Sequence, residues 1–148
     1  MYKLCSIILF MFLTGCATVP MEDVEKDLNA KKFIEPLDGK SGIYIYRKFG
    51  PGTVLTKKIM IDDECIGKSA PSVYFYKEVE ANKQYVISTQ SEFSPNTLEL
   101  YTESNKNYFV ENYIKVGLFI GGADLKERDE QRAKKDIAKL KLASNSGC

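Results

Sequence analysis

The chain has no histidine. That removes Ser-His-Asp and Cys-His catalysis, imidazole metal ligation and the usual general base near neutral pH. Chemistry must therefore come from its cysteines, carboxylates, lysines or tyrosines. Asp62-Asp63-Glu64 is the densest carboxylate run and offers three oxygen donors to a cation such as Ca²⁺. It lacks the alternating acidic positions and the glycine of a calcium loop, so it reads as a turn, and no metal site is expected. Cys65 would act as a nucleophile only with its pKa lowered by a basic neighbour such as Lys68, and nothing is present to orient it. Glu78 and Glu111 are the carboxylates that a hydrolase or transferase acting on polymers would use. No Gly-x-Ser-x-Gly, P-loop or dinucleotide fingerprint occurs, and Gly121-Gly122 follows a strand without the remaining glycines. No catalytic residue and no cofactor is assigned from the sequence.

Tyr44, Tyr46, Tyr74 and Tyr76 stand at alternate positions of two strand-like segments. One sheet face could thus present several phenol rings, a surface suited to glycans or partner proteins. The same rings could instead pack a second sheet or sit beneath a helix, since aromatics are ordinary strand residues.

The N-terminus carries Lys3, an apolar run from Leu4 to Leu13, and then Thr14-Gly15-Cys16. This is a signal-peptide plan. The run is about half the roughly 20 residues that a membrane-spanning helix needs, so it is expected to be removed rather than retained. Two small residues leading into a cysteine resemble the bacterial lipobox. That resemblance implies cleavage between Gly15 and Cys16 and lipidation of Cys16: its sulfur takes a diacylglyceryl group and its freed amine is then acylated, for instance with palmitate. Two or three chains on one residue anchor a protein stably, where a single chain does not. By resemblance to Gram-negative sorting rules, Ala17 after the cysteine implies the outer membrane; the periplasmic face is the expected side, though Ala17 does not determine it.

Of the four cysteines, Cys5 leaves with the signal and Cys16 is lipidated, so Cys65 and Cys148 remain. An oxidising periplasm would let them pair if the fold brings their Cα atoms within about 7 Å. Otherwise Cys65 is a small apolar strand residue and Cys148 a free or intermolecular thiol. Loss of residues 1–15 removes Lys3 and no acidic residue, leaving 20 basic against 20 acidic side chains. A formally neutral chain offers no electrostatic footprint for nucleic acid. The expected partners are the membrane, through Cys16, and an envelope protein or glycan.

Residues 16–41 are polar, with Pro20 and Pro36, and read as a tether holding a short helix over Val24, Leu28 and Lys32-Phe33. From Gly42 the apolar period becomes two. Strand segments recur at Ile43–Tyr46, Lys58–Ile61, Cys65–Gly67, Val73–Val79, Tyr85–Thr89 and Thr97–Thr102. Tyr108 to Val116 is the clearest of them, with Glu111 and Lys115 on its polar face. The fold class is therefore mainly β: a small antiparallel β-sandwich of six to seven strands over residues 42–122, with no helix-length segment between strands. Gly117 to Gly122 is loose. Residues 123–148 form a C-terminal amphipathic helix and tail, with Asp124 as N-cap, Glu127 completing a capping box, and a stripe of Ala133, Ile137 and Leu140 docking on the sandwich.

In this order the segments resemble bacterial lipoproteins carrying the domain of unknown function 2846. The resemblance rests on Cys16-Ala17-Thr18-Val19-Pro20-Met21, Ala30-Lys31-Lys32-Phe33, Ile43-Tyr44-Ile45-Tyr46-Arg47 and Ile61-Asp62-Asp63 with Ile66-Gly67. Tyr74-Phe75, Glu78-Val79, Tyr108-Phe109-Val110, Lys115-Val116-Gly117 and Lys141-Leu142-Ala143 extend it. Asp63-Glu64 stands where that family usually has glycine, and Ala81-Asn82 where it tends to Pro-Gly. The hairpin also looks like the PEGA-type surface module. The resemblance implies a small sandwich with interaction roles and names no activity.

Overall fold

A computed structural model describes residues 19–50, 52, 54–115 and 121–148. The signal segment (residues 1–15), its cleavage point at Gly15 and Cys16, and the lipidation site Cys16 lie outside the described residues, as does the segment 116–120. Among the described residues no helix is long and apolar enough to cross a membrane.

The elements run α1 (Val24–Ala30), β1 (Lys40–Arg47), β2 (Lys57–Ile61), β3 (Glu64–Ser69), β4 (Val73–Glu80), β5 (Lys83–Thr89) and β6 (Asn96–Thr102). They continue with β7 (Lys106–Lys115), β8 (Gly122–Glu127), α2 (Glu130–Ile137) and β9 (Lys141–Leu142). The protein is mainly β, as expected, with nine strands among the described residues rather than six or seven. One sheet has the order β8-β7-β1-β4-β9, the other β3-β2-β5-β6. Neighbours pair antiparallel except β1 with β7 and β4 with β9, which are parallel.

Two expectations for the chain's C-terminal part are corrected. The helix does not begin at Asp124. Gly122–Glu127 continues the sheet instead, pairing with β7 from Lys115↔Gly122 to Val110↔Glu127, so the sheet runs past the 122/123 boundary. Ala123 and Leu125 turn into the core while Asp124 accepts from Lys115 Nζ (3.0 Å) and Tyr113 Oη (3.2 Å). The open edge of β7 supplies a ladder of hydrogen bonds that a helix start at Asp124 would forgo. The N-cap is Asp129, whose carboxylate accepts from the Arg132 amide at 3.1 Å. The stripe of Ala133, Ile137 and Leu140 does face inward and is buried.

Two cores result. Between the sheets lie Ile43, Ile45, Ile59, Ile66, Phe75, Ile87 and Val110. On the outer face of the larger sheet lie Tyr44, Tyr46, Tyr74 and Phe109 beneath Ala133, Ile137 and Leu140. Strand β1 is thus buried on both faces, from Ser41 to Arg47. The segment read as a tether is folded from Val19 onward, because Val19 belongs to the inner core. Met21 bridges antiparallel to Ala143, the Glu22 amide donates to the Leu142 carbonyl (3.0 Å), and the Ser144 amide donates to that of Pro20 (2.9 Å).

Candidate functional site: a tyrosine-floored groove

The register of β1 against β4 makes the four tyrosines cross-strand neighbours, Tyr44 opposite Tyr76 and Tyr46 opposite Tyr74. They do share one face, but that face is not the open phenol surface considered above. Tyr44, Tyr46 and Tyr74 are buried under α1, α2 and Phe33. The reason is hydrophobic area: a flat aromatic face on a central strand has no second sheet on that side, and the two helices exclude water from it.

The hydroxyls of these rings hold the helices in place. Tyr44 Oη donates to the Ala30 carbonyl (2.9 Å), Tyr74 Oη to Asp27 Oδ1 (2.8 Å) and Tyr46 Oη to Asp136 Oδ2 (3.4 Å). Burial raises the pKa of all three phenols above the ordinary value, so they stay neutral and serve as donors. Asp27 is the junction of the layer. Its carboxylate also accepts from the Leu142 amide (3.0 Å) and from Lys31 Nζ (2.7 Å), and Lys31 reaches on to the Leu140 carbonyl (2.6 Å). Burial alone would raise the Asp27 pKa, but the hydrogen bonds from Lys31, Tyr74 and Leu142 outweigh it and hold it below the carboxylate norm.

What remains open is the end of the face at Tyr76. Its half-buried ring lies 4.7 Å, centroid to centroid, from that of Tyr44. Together they floor a groove of about 390 Å³ walled by Lys26, Asn29 and Ile34 on one side and Leu142, Ala143 and Asn145 on the other. The Lys26–Glu22 ion pair (2.8 Å) sits on the rim, and Asn145 Nδ2 donates to the Tyr76 carbonyl (2.9 Å). Aromatic floor, amide walls and a charged rim suit a ligand with an apolar face and hydroxyl or amide edges.

The other candidate residues are engaged in structure. Glu111 is buried between Arg128 Nε (2.6 Å) and Lys48 Nζ (3.0 Å), and Lys48 also reaches Asp136 (3.6 Å). Two carboxylates thereby come within the roughly 10 Å spacing that glycosidases use, but with an ammonium between them. Burial would raise the Glu111 pKa, yet its bonds to Lys48 and Arg128 prevail and lower it, so it cannot hold a proton to donate near neutrality. Glu78 is exposed on β4. Asp62 turns the β2–β3 hairpin at φ 51°, its carboxylate accepting from the Val86 amide (2.9 Å), and Glu64 pairs with Lys77 (2.8 Å). Among the described residues no group of acidic, cysteine or histidine side chains could hold a metal ion. Cys65 and Cys148 form a disulfide with Cα atoms 5.7 Å apart, so the nucleophilic reading of Cys65 falls.

Sequence reasoning missed three organising residues: Asp27, Phe33 and Arg47. Phe33 adopts φ 51°, a left-handed conformation that a bulky residue seldom takes, and its ring packs on Tyr44 (5.3 Å) and Phe109 (6.0 Å). Arg47, on the inward side of β1, is buried. It donates to the carbonyls of Gly52 (2.7 Å), Leu55 (2.6 Å) and Ser69 (3.4 Å), bracing the loop that follows β1. Its position two residues after Ile45 marks it as inward-facing, which was a usable signal.

With this geometry established, similarity to other proteins bears on it. The family described as "Protein of unknown function (DUF2846)" matches residues 37–123, more than half of the chain. The chain belongs to the DUF2846 family. The match spans β1 to β7, so the tyrosine floor lies inside it while α1 and the C-terminal wall of the groove lie outside. A Haemophilus influenzae relative, described as an uncharacterized protein, is 50% identical over 133 residues, covering 90% of this DUF2846 chain and 79% of the relative. No solved structure matches.

Proposed function

We propose that this DUF2846 protein is a lipid-anchored cell-envelope protein, held by acyl chains on Cys16 at the periplasmic face of the outer membrane. There it works as a non-enzymatic binding module. The anchor rests on the Leu13-Thr14-Gly15-Cys16 sequence. The binding role rests on one observation: the groove over Tyr44 and Tyr76 stays open, while of the two candidate catalytic carboxylates Glu111 is held between Lys48 and Arg128 and Glu78 stands exposed on β4, outside the groove. Its ligand is an envelope glycan or a protein segment with an apolar face.

The test is photo-crosslinking in living cells from a reactive residue at Asn29 on the groove wall, with Phe93 on the other sheet as the comparison position. The reading requires an envelope glycan or protein captured from position 29, lost in Y76A and absent from position 93. Equal capture from both positions, or capture indifferent to Y76A, refutes it. Intact mass from native membranes checks the anchor separately: residues 16–148 plus acyl chains supports it, an unmodified chain does not.

A further inference from the structure

We infer that the surface of α1 carrying Val24 and Leu28 rests on the bilayer to which the protein is anchored. This rests on the lipid-anchor reading above and specifies how the domain stands on its membrane.

Reach is the first reason. Val19 is a core residue, and only Ala17 and Thr18 separate it from Cys16. At 3.8 Å between consecutive Cα atoms, three steps span roughly 11 Å. Acyl chains on Cys16 would therefore hold the folded domain against the headgroups, with no spacer to lift it away. Some face of the domain must meet the lipid.

The second reason is how α1 is attached. It buries none of its residues fully, and its hold on the sheet is mostly polar, through Asp27 to Tyr74 and Leu142 and through Lys31 to the Leu140 carbonyl, with Ala30 packing on the tyrosines. Its two larger apolar side chains are left outside: Val24 is 75% exposed and Leu28, one turn on, 59%. Ile34 (70%) and Leu37 (78%) follow in the next segment. A helix docked on a protein core normally turns its apolar stripe inward. Here the stripe faces out, in the part of the chain that the anchor would bring to the interface. From Glu22 to Lys32 four acidic side chains stand against three basic ones, so the segment carries no net positive charge toward anionic lipid; the attraction is apolar rather than electrostatic and should persist in salt.

The chain has no tryptophan, so single introduced indoles report cleanly. Full-length V24W, L28W and F93W proteins, extracted with their acyl chains, would be placed in phosphatidylethanolamine–phosphatidylglycerol vesicles containing bromine-labelled acyl chains. All three positions are exposed, so the fold is not at risk, and Phe93 belongs to the opposite sheet's β5–β6 loop. We expect V24W and L28W emission to fall at least twofold, at low and at 0.5 M salt, with F93W unchanged. Acylated protein whose V24W and L28W emission is unquenched, or quenched no more than that of F93W, overturns the inference and leaves the anchor standing. A mass without acyl chains overturns the anchor itself. Burial of V24W by a protein partner would show as protection in cells that is lost in pure vesicles, and it too counts against the bilayer.

Discussion

The bond between Cys65 and Cys148 joins residues 83 apart in sequence and so closes most of the sheet region into one loop. In the chain-entropy description, cross-linking a loop of that length removes about 4.5 kcal/mol of unfolded-state freedom at 25 °C, and measured bridges return 2–4 kcal/mol of it. A domain of this size has about 5–15 kcal/mol in total, so the bridge carries a large share. The native state should change little on its removal, because the tail is also held by the Ser144 amide on the Pro20 carbonyl, the Met21–Ala143 bridge and Asn145 on Tyr76. The effect should therefore arise in the unfolded chain. Urea unfolding of the wild type, the reduced wild type and C65A/C148A, followed by far-ultraviolet circular dichroism, separates the alternatives. We expect a loss of 2–4.5 kcal/mol in both reduced and doubly substituted protein, together with a steeper m-value as the unfolded state expands. A loss under about 1 kcal/mol with an unchanged m-value would refute the entropic argument, and a loss accompanied by altered native chemical shifts across β9 would relocate the effect to the folded state.

Glu111→Gln strips the charge that Lys48 and Arg128 face. Breaking a fully buried pair costs about 3–5 kcal/mol, and since both cations keep some exposure we expect about 2–3 kcal/mol by urea unfolding. Asp27, Glu111 and Asp124 all have pKa values held below their ordinary values of 3.8, 4.5 and 3.8, so their contribution to stability is complete above those values. It is lost as pH falls through the lower folded values; melting temperature should drop on acidification below about pH 4.5, with a shallower slope in D27N. Gly67→Ala places a Cβ 2.7 Å from Phe75 Cε1 and should cost about 1–3 kcal/mol, measurable by thermal melting.

The alternation at Tyr44/Tyr46 and Tyr74/Tyr76 was legible because strand parity is local, and it placed four rings on one face correctly. What covers that face was not, since Asp27 and the Leu142 amide that it accepts from lie 115 residues apart and no local pattern links them. Strand β8 was hidden for a related reason. Asp124-Leu125-Lys126-Glu127 is short enough to suit a capped helix start as well as a strand, and only the vacant edge of β7 decides. The parallel pairing of β1 with β7 likewise depends on two strands some sixty residues apart in sequence. Composition brought Cys65 and Cys148 forward as candidates, but their proximity depends on β9 carrying the tail back along β4 to β3.

That path also links the groove to Val19, beside the proposed anchor. One groove wall belongs to α1 and Ile34 beyond it, the other to Leu142 of β9 and the tail that follows. They are joined to each other by the Met21–Ala143 bridge and by Asp27, and to the β2–β3 hairpin by the disulfide. A force applied at Val19 is therefore carried into both walls at once. If the chain is anchored through Cys16 and binds in the groove as proposed, such bracing keeps the groove's width fixed while the domain is held a few residues away. The Asp27 junction and the Cys65–Cys148 bridge supply it from opposite ends of the sequence.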